Sequence, residues 1–156
     1  MIDTEKIVKF VEVDDGGSEY FDAALQIYLE AFPANERHSA SVIRNRVAEG
    51  SSRLRVGLLN SEVVFMALLW PLQGTEFIVL DYMATNPLHR GKGLATSFMQ
   101  QMDDELRKTN QLFILEVEDE RYGQNVAERK RRKAFYRKLS ARELKDVRYV
   151  LPPPAG

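Results

Sequence analysis

The chain contains no cysteine. That absence excludes disulfides, thiolate-bound zinc, iron–sulfur clusters and a cysteine nucleophile. It also fits a reducing compartment. There are two histidines, His38 and His89, too few for a His-rich metal site, so no metal is expected. No apolar run approaches the ~20 residues of a membrane span. The start, Met1 to Lys6, lacks the basic-then-apolar layout of a signal peptide. These absences predict a soluble cytoplasmic protein with no membrane partner. An excess of one charge is missing too. Lys and Arg number 22 against 23 Asp and Glu, a formal net charge of −1, which argues against a nucleic-acid partner.

What is present is one domain's worth of chain. The 156 residues suit a single domain over 1–156. A chain of that size buries roughly 68–70% of its unfolded surface and needs no covalent staple. The charge is uneven locally. Residues 121–148 hold 11 of the 22 basic residues and three acids, Glu128, Glu143 and Asp146. Arg129 to Lys133 is an unbroken basic run. It reads either as a solvated helix face or as a site for a phosphorylated ligand.

The hydrophobic pattern mixes strands and helices. Residues 6–13 read as a strand ended by Asp14-Asp15-Gly16-Gly17. Ser18 caps a helix over 19–31 that Pro33 ends, and Ser39 caps a second that Gly50 closes. Strands follow over 53–59, 62–70 and 76–84. The last is apolar on both faces except at Asp81, as a covered central strand would be. After a loop over 85–92 comes a helix over 93–108, with Leu94, Phe98, Met99, Met102 and Leu106 as its buried stripe. A strand over 111–117, a helix over 126–139 and a strand over 143–151 complete the order. Strand, helix, strand implies a right-handed crossover between parallel neighbours. The class is therefore α/β: a mixed central sheet, an antiparallel meander feeding a parallel βαβ core, with helices on both faces.

The segment Asn86-Pro87-Leu88-His89-Arg90-Gly91-Lys92-Gly93-Leu94-Ala95-Thr96 lies between a buried strand and a helix. Its glycines let the backbone approach a ligand. The first N–H groups of the following helix are unpaired, and with the helix dipole they suit an anion such as a pyrophosphate. Arg90 and Lys92 add positive charge. A Walker loop does not fit, because Lys92 sits between the glycines. A dinucleotide fingerprint does not fit either, because Thr96 stands where its third glycine belongs.

Arg90-x-x-Gly93-x-Ala95 resembles the acyl-CoA pyrophosphate loop of the GNAT N-acetyltransferase superfamily. The resemblance extends upstream through Leu80-Asp81-Tyr82-Met83-Ala84-Thr85-Asn86-Pro87 and downstream to Ala134-Phe135-Tyr136-Arg137-Lys138-Leu139. It covers about residues 53–151. In place of the family's Gly-Phe after that segment stand Ser140-Ala141, and Arg129 occupies the place of an asparagine that holds the pantetheine arm.

The resemblance implies direct transfer of an acetyl group from acetyl-CoA, as co-substrate, to a primary amine of a small molecule or peptide. It implies cofactor contacts from Met83, Ala84, Thr85, Arg90, Gly91, Lys92, Gly93, Leu94, Ala95 and Thr96, with Arg129 reaching a phosphate or the acceptor. Tyr136 aligns with the family's acid for the leaving thiolate, and the oxyanion donor falls near Met83 to Thr85. An alkyl amine with a pKa near 10.4 is neutral only about 0.04% of the time at pH 7, so a base is needed. Asp81 and Glu116, in buried strands, are the candidates from the residues themselves. Glu118, Asp119 and Glu36 lie further out. A domain that binds acyl-CoA without turnover is the alternative.

The last expectation concerns the C-terminus. The family usually ends in two antiparallel strands, but Pro152-Pro153-Pro154 forbids a second one after 143–151. The C-terminal strand is thus expected to be missing. Its place beside 111–118 would be taken by 143–151, by a second subunit in a homodimer, or by further chain of a longer polypeptide.

Overall fold

A computed structural model describes residues 7–14 and 18–147 of the chain. They divide into two compact units, one reaching Ile114 and the other beginning at Leu115.

The first unit is a sheet with helices against both faces. Strand β1 (Lys9–Val13) leads to helix α1 (Glu19–Ala31). The Ser18 hydroxyl accepts from the Phe21 N–H at 3.1 Å, the cap expected of a serine there. Helix α2 (Ala40–Glu49) is capped by Ser39 and closed by Gly50 in the left-handed conformation, φ 78°. Strands β2 (Arg53–Leu59), β3 (Glu62–Pro71) and β4 (Phe77–Thr85) then form an antiparallel meander. Helix α3 (Leu94–Lys108) crosses to β5 (Leu112–Leu115), and the spatial order is β1-β2-β3-β4-β5. The Leu112 N–H donates to the Glu76 carbonyl at 2.8 Å, so β4 and β5 start at the same edge of the sheet.

Two corrections concern the sheet interior. The strand buried on both faces is β3, not β4: every residue from Val63 to Leu69 is buried. In β4 only Ile78 and Leu80 are buried. And β5 is short, ending before Glu116, which is exposed.

One side of the sheet packs Val13, Leu54, Val56, Val63, Met66 and Leu68 against Phe21, Ala24, Ile27, Tyr28, Ile43 and Val47 of α1 and α2. On α3 the stripe Phe98, Met99, Met102 and Leu106 is buried as read from its spacing, with Leu94 half-buried. Phe98 meets Phe65 and Phe10 with ring centroids 5.0 and 5.5 Å apart. Two bulges break the meander. Gly57 pairs with Phe65 and Leu58 with Val63, so Val64 is an extra residue in β3. Leu68 pairs with Tyr82 and Leu69 with Leu80, so Asp81 is an extra residue in β4.

The second unit carries helix α4 (Val126–Lys138) and the loop before it. Residues 143–147 form no strand, contrary to the reading of 143–151. The remainder of that reading, the triple proline, Lys6 and the glycines at 16 and 17 lie outside the described residues. Among the described residues no helix is long and apolar enough to cross a membrane.

Candidate functional site

Past Asp81, β4 outruns its neighbour. It has nine residues and β5 has four, and both start at one edge. Met83, Ala84 and Thr85 remain in register with Ala67, Met66 and Phe65 of β3. Their other side is beyond the end of β5, which is where the family resemblance implies an oxyanion donor.

The chain then turns through Pro87–His89, capped by Asn86, into the glycine segment. Gly91 and Gly93 have φ 75° and 78°, a region that L side chains rarely adopt. A Cβ built on either meets nothing within 4 Å, so the space over both is open. Gly93 caps α3 with no side-chain hydrogen bond. The first bond of the helix runs from the Ser97 N–H to the Gly93 carbonyl at 3.0 Å. The N–H groups of Leu94, Ala95 and Thr96 therefore have no acceptor within the helix. Lys92 is exposed, and Arg90 is exposed with its Nε 3.4 Å from the Thr85 carbonyl. Bare N–H groups, two flanking cations and no side chain in the approach are the features that suit an anion.

A second group of residues gathers around the β4 bulge. Asp81 is half-buried, and burial raises its carboxyl above the ordinary range, with His38 and Arg46 pulling the other way. Tyr82 stands edge-on to Tyr28 and Phe32, each centroid 4.9 Å away, and to His38 at 5.9 Å. Its hydroxyl donates to the Glu36 carbonyl at 3.2 Å. The Arg46 Nη1 lies 3.3 Å from His38 Nε2. Arg37 closes the end of α1, donating to the carbonyls of Leu29 and Phe32. The α1–α2 connection is thus fastened to the strand that carries Asp81.

Tyr28, His38, Arg46 and Tyr82 were not singled out from the sequence as site residues. Strand alternation puts Tyr82 on the face opposite Asp81. The bulge turns both toward α1 and α2, and no local signal marks it.

In the second unit, Tyr136 is half-buried on α4. Burial raises its phenol above the ordinary range, and Arg132 opposes that. Phe135 meets it edge-on at 5.1 Å. Arg129 faces the preceding loop. It donates to the carbonyls of Asp119 and Tyr122 and pairs with Glu118 at 2.9 Å. A Cβ on Gly123 would come within 2.9 Å of its guanidinium, so the loop fits closely around it. Lys133 pairs with Glu120 at 3.2 Å and Arg132 with Glu128 at 3.5 Å. No residue of α4 is fully buried. Ser140 takes the left-handed conformation, φ 68°, that a glycine would supply at this helix end.

The sequence model of the acetyltransferase (GNAT) family matches residues 21–139, and the chain belongs to that family. No curated protein matches the sequence significantly. Solved structures share the fold. An aminoglycoside acetyltransferase, HMB0005, from an uncultured soil metagenomic sample superposes with TM-score 0.69 at 17% identity, over 94% of this chain and 98% of its own. A ribosomal-protein-alanine N-acetyltransferase from Brucella melitensis biovar Abortus 2308 gives 0.67 at 13% identity, over 94% and 99%. A GNAT family acetyltransferase from Elizabethkingia anophelis with acetyl-CoA bound gives 0.58 at 13% identity, over 85% and 74%.

Proposed function

We propose that the chain, as a single domain, is an N-acetyltransferase that moves acetyl from acetyl-CoA directly to a primary amine of a small molecule or peptide. The observation that carries this is the opening of α3: a left-handed Gly93 cap, unpaired N–H groups from Leu94 to Thr96 and open space over both glycines. That arrangement fits a pyrophosphate. Acetyl-CoA would supply the activated acetyl thioester.

The roles proposed for the chain's residues combine the family resemblance with their chemistry. Residues 91–96 hold the pyrophosphate, with Arg90 and Lys92 adding attraction. The backbone near Met83 to Thr85 steadies the thioester oxygen as it gains charge, an effect worth roughly 2.7–4 kcal/mol for a preorganised donor. Asp81 removes the proton of the acceptor ammonium, directly or through water. Its raised pKa brings it closer to neutral pH, which favours a base. Tyr136, kept protonated by burial, gives a proton to the departing thiolate. Glu116, exposed beyond the end of β5, is the weaker candidate base. Arg129 is engaged with its own loop, so its part in binding is to shape that loop. No acyl-enzyme is required, consistent with the missing cysteine, which also supports a reducing compartment such as the cytoplasm.

Two measurements test the reading. Acetyl-CoA at 100 times its Kd should stabilise the protein by about 2.7 kcal/mol, visible as a thermal shift that ATP does not give. Thiol release with a panel of amines should then show turnover. Binding without turnover across the panel would favour a non-catalytic acyl-CoA sensor. No shift with acetyl-CoA would remove the proposal.

A further inference from the structure

We propose that Arg46 is a positioning residue: its guanidinium fixes His38 as a neutral imidazole with the proton on Nδ1, leaving Asp81 to take the acceptor's proton. The inference rests on the reading of Asp81 as the base.

The argument is one of donors and acceptors. A guanidinium carries N–H donors and no acceptor. The 3.3 Å approach of Arg46 Nη1 to His38 Nε2 is a hydrogen bond only if Nε2 presents its lone pair. A neutral imidazole has one N–H and one bare nitrogen, so the proton sits on Nδ1. An imidazolium would aim an N–H at the guanidinium's N–H.

His38 is not placed by Arg46 alone. Its backbone N–H donates to Tyr28 Oη at 2.8 Å, that hydroxyl donates to its carbonyl at 3.2 Å, and its ring stands edge-on to Tyr82 with centroids 5.9 Å apart. Losing Arg46 would therefore leave the His38 backbone in place and change the ring's protonation. The groups around His38 include Tyr28 from α1, Arg46 from α2, and Asp81 and Tyr82 from β4. Glu36, in the connection, contributes the carbonyl that holds Tyr82. The Asp81 carboxylate favours a charged imidazole and the guanidinium opposes it. The hydrogen bond to Nε2 decides between them.

Two groups near the bulge could accept a proton from an amine, and the arrangement closes one of them. The His38 lone pair is occupied by Arg46. The proton that leaves the acceptor nitrogen breaks its N–H bond and forms an O–H bond on Asp81.

The test is the tautomer itself. The full chain, uniformly labelled with nitrogen-15, has two histidines, and His38→Gln identifies the signals of His38 by their loss. At pH 7 the long-range proton–nitrogen spectrum should show a neutral His38 with Nε2 bare. In Arg46→Met the ring should become partly charged or move its proton to Nε2. A charged ring or an Nε2–H tautomer in the unsubstituted protein overturns the proposal, as does an unchanged spectrum in folded Arg46→Met. Should Arg46→Met not fold, the unsubstituted spectrum still decides, with Arg46→Lys as the milder variant.

Kinetics give a second readout. Arg46→Met should lower kcat by roughly tenfold or more, leave the acetyl-CoA KM nearly unchanged and add an ionisation near the ordinary histidine value of about 6.5 to the kcat profile. Arg46→Lys should restore part of the rate. A lower kcat with an unaltered pH profile would mean a structural role only. The spectrum needs no substrate, so failure of acetyl-CoA binding would sink acetyl transfer without touching the tautomer result.

Discussion

One phenol oxygen joins Tyr28 to both backbone groups of His38, accepting from its N–H at 2.8 Å and donating to its carbonyl at 3.2 Å. Tyr28 is only 1% exposed, so these bonds are made away from water. Tyr28→Phe should cost about 1–3 kcal/mol, because the His38 N–H loses its acceptor. Urea unfolding should show a lower midpoint with an unchanged slope. Burial also raises the Tyr28 phenol above its ordinary range. A raised folded pKa gives stability that is present below the unfolded value near 10 and lost as pH rises above it. The loss of stability above pH 10 should therefore be smaller in Tyr28→Phe.

Gly93→Val should strain the fold as well as block the cofactor, because Gly93 has a left-handed φ of 78°. A side chain there should add roughly 1–2 kcal/mol of backbone strain. Acetyl-CoA affinity should also fall at least about tenfold, or ~1.4 kcal/mol. Gly74, at φ 77° with open space around it, is the control. Gly74→Val should show similar strain with normal acetyl-CoA binding. Equal affinities in the two variants would refute a cofactor site at residues 91–96.

Asp81→Asn should separate stability from activity. The folded pKa of Asp81 is raised, so the unfolded chain ionises first as pH increases. The ionised carboxylate therefore disfavours folding at neutral pH, and stability falls as pH rises from the unfolded value near 3.9 through the folded one. Asp81→Asn should be as stable as the parent at pH 7, or more so, while kcat drops by roughly 10²–10⁴. Unfolding at pH 4 and pH 7, paired with turnover, checks both halves. A destabilised variant with normal kcat would make Asp81 structural.

Tyr136→Phe should lower kcat by roughly 10²–10⁴ and leave acetyl-CoA affinity nearly unchanged. Because burial holds the phenol above its ordinary range, the parent should show no alkaline loss of kcat from this group below about pH 10. Lower stability with full turnover would mark Tyr136 as a packing residue.

The basic run divides into two kinds of arginine. Arg132 is in an exposed helical pair with Glu128, whereas Arg129 is wrapped by the loop from Glu118 to Gly123. Arg132→Glu should weaken acetyl-CoA binding more than it slows chemistry, and high salt should mask the difference. Arg129→Glu should weaken binding through the loop as well, leaving a deficit at high salt and faster tryptic cleavage at Arg121. Unchanged affinity in both variants would reduce the run to a solvated face.

Much of the fold was legible because its signals are local. Ser18, Ser39 and Gly50 mark helix ends by their own chemistry, and α1 and β2 have the bounds their patterns predict. The unpaired start of α3 was legible for the same reason: glycines before a helix leave its first N–H groups without a side-chain cap. The cluster around His38 was not. It depends on tertiary hydrogen bonds through Tyr28 and on an extra residue in β4, and neither leaves a periodic trace. Glu116 looked buried because the run from Gln111 to Val117 is largely apolar, yet pairing stops at Leu115.

The extra residue at position 81 also decides which face the end of β4 serves. Before it, Ile78 and Leu80 belong to one face; after it, Tyr82 and Ala84 pack with the α1 and α2 side, although all four positions are even. Were Asp81 drawn into the ladder as an ordinary paired residue, Tyr82 and Ala84 would return to the face of Leu80, away from α1 and α2. Deleting Asp81 would instead leave Leu80 and Tyr82 as alternating neighbours, each on its present face. A chimera or homologue graft that trims the strand at that one position would therefore keep its packing and lose only the carboxylate.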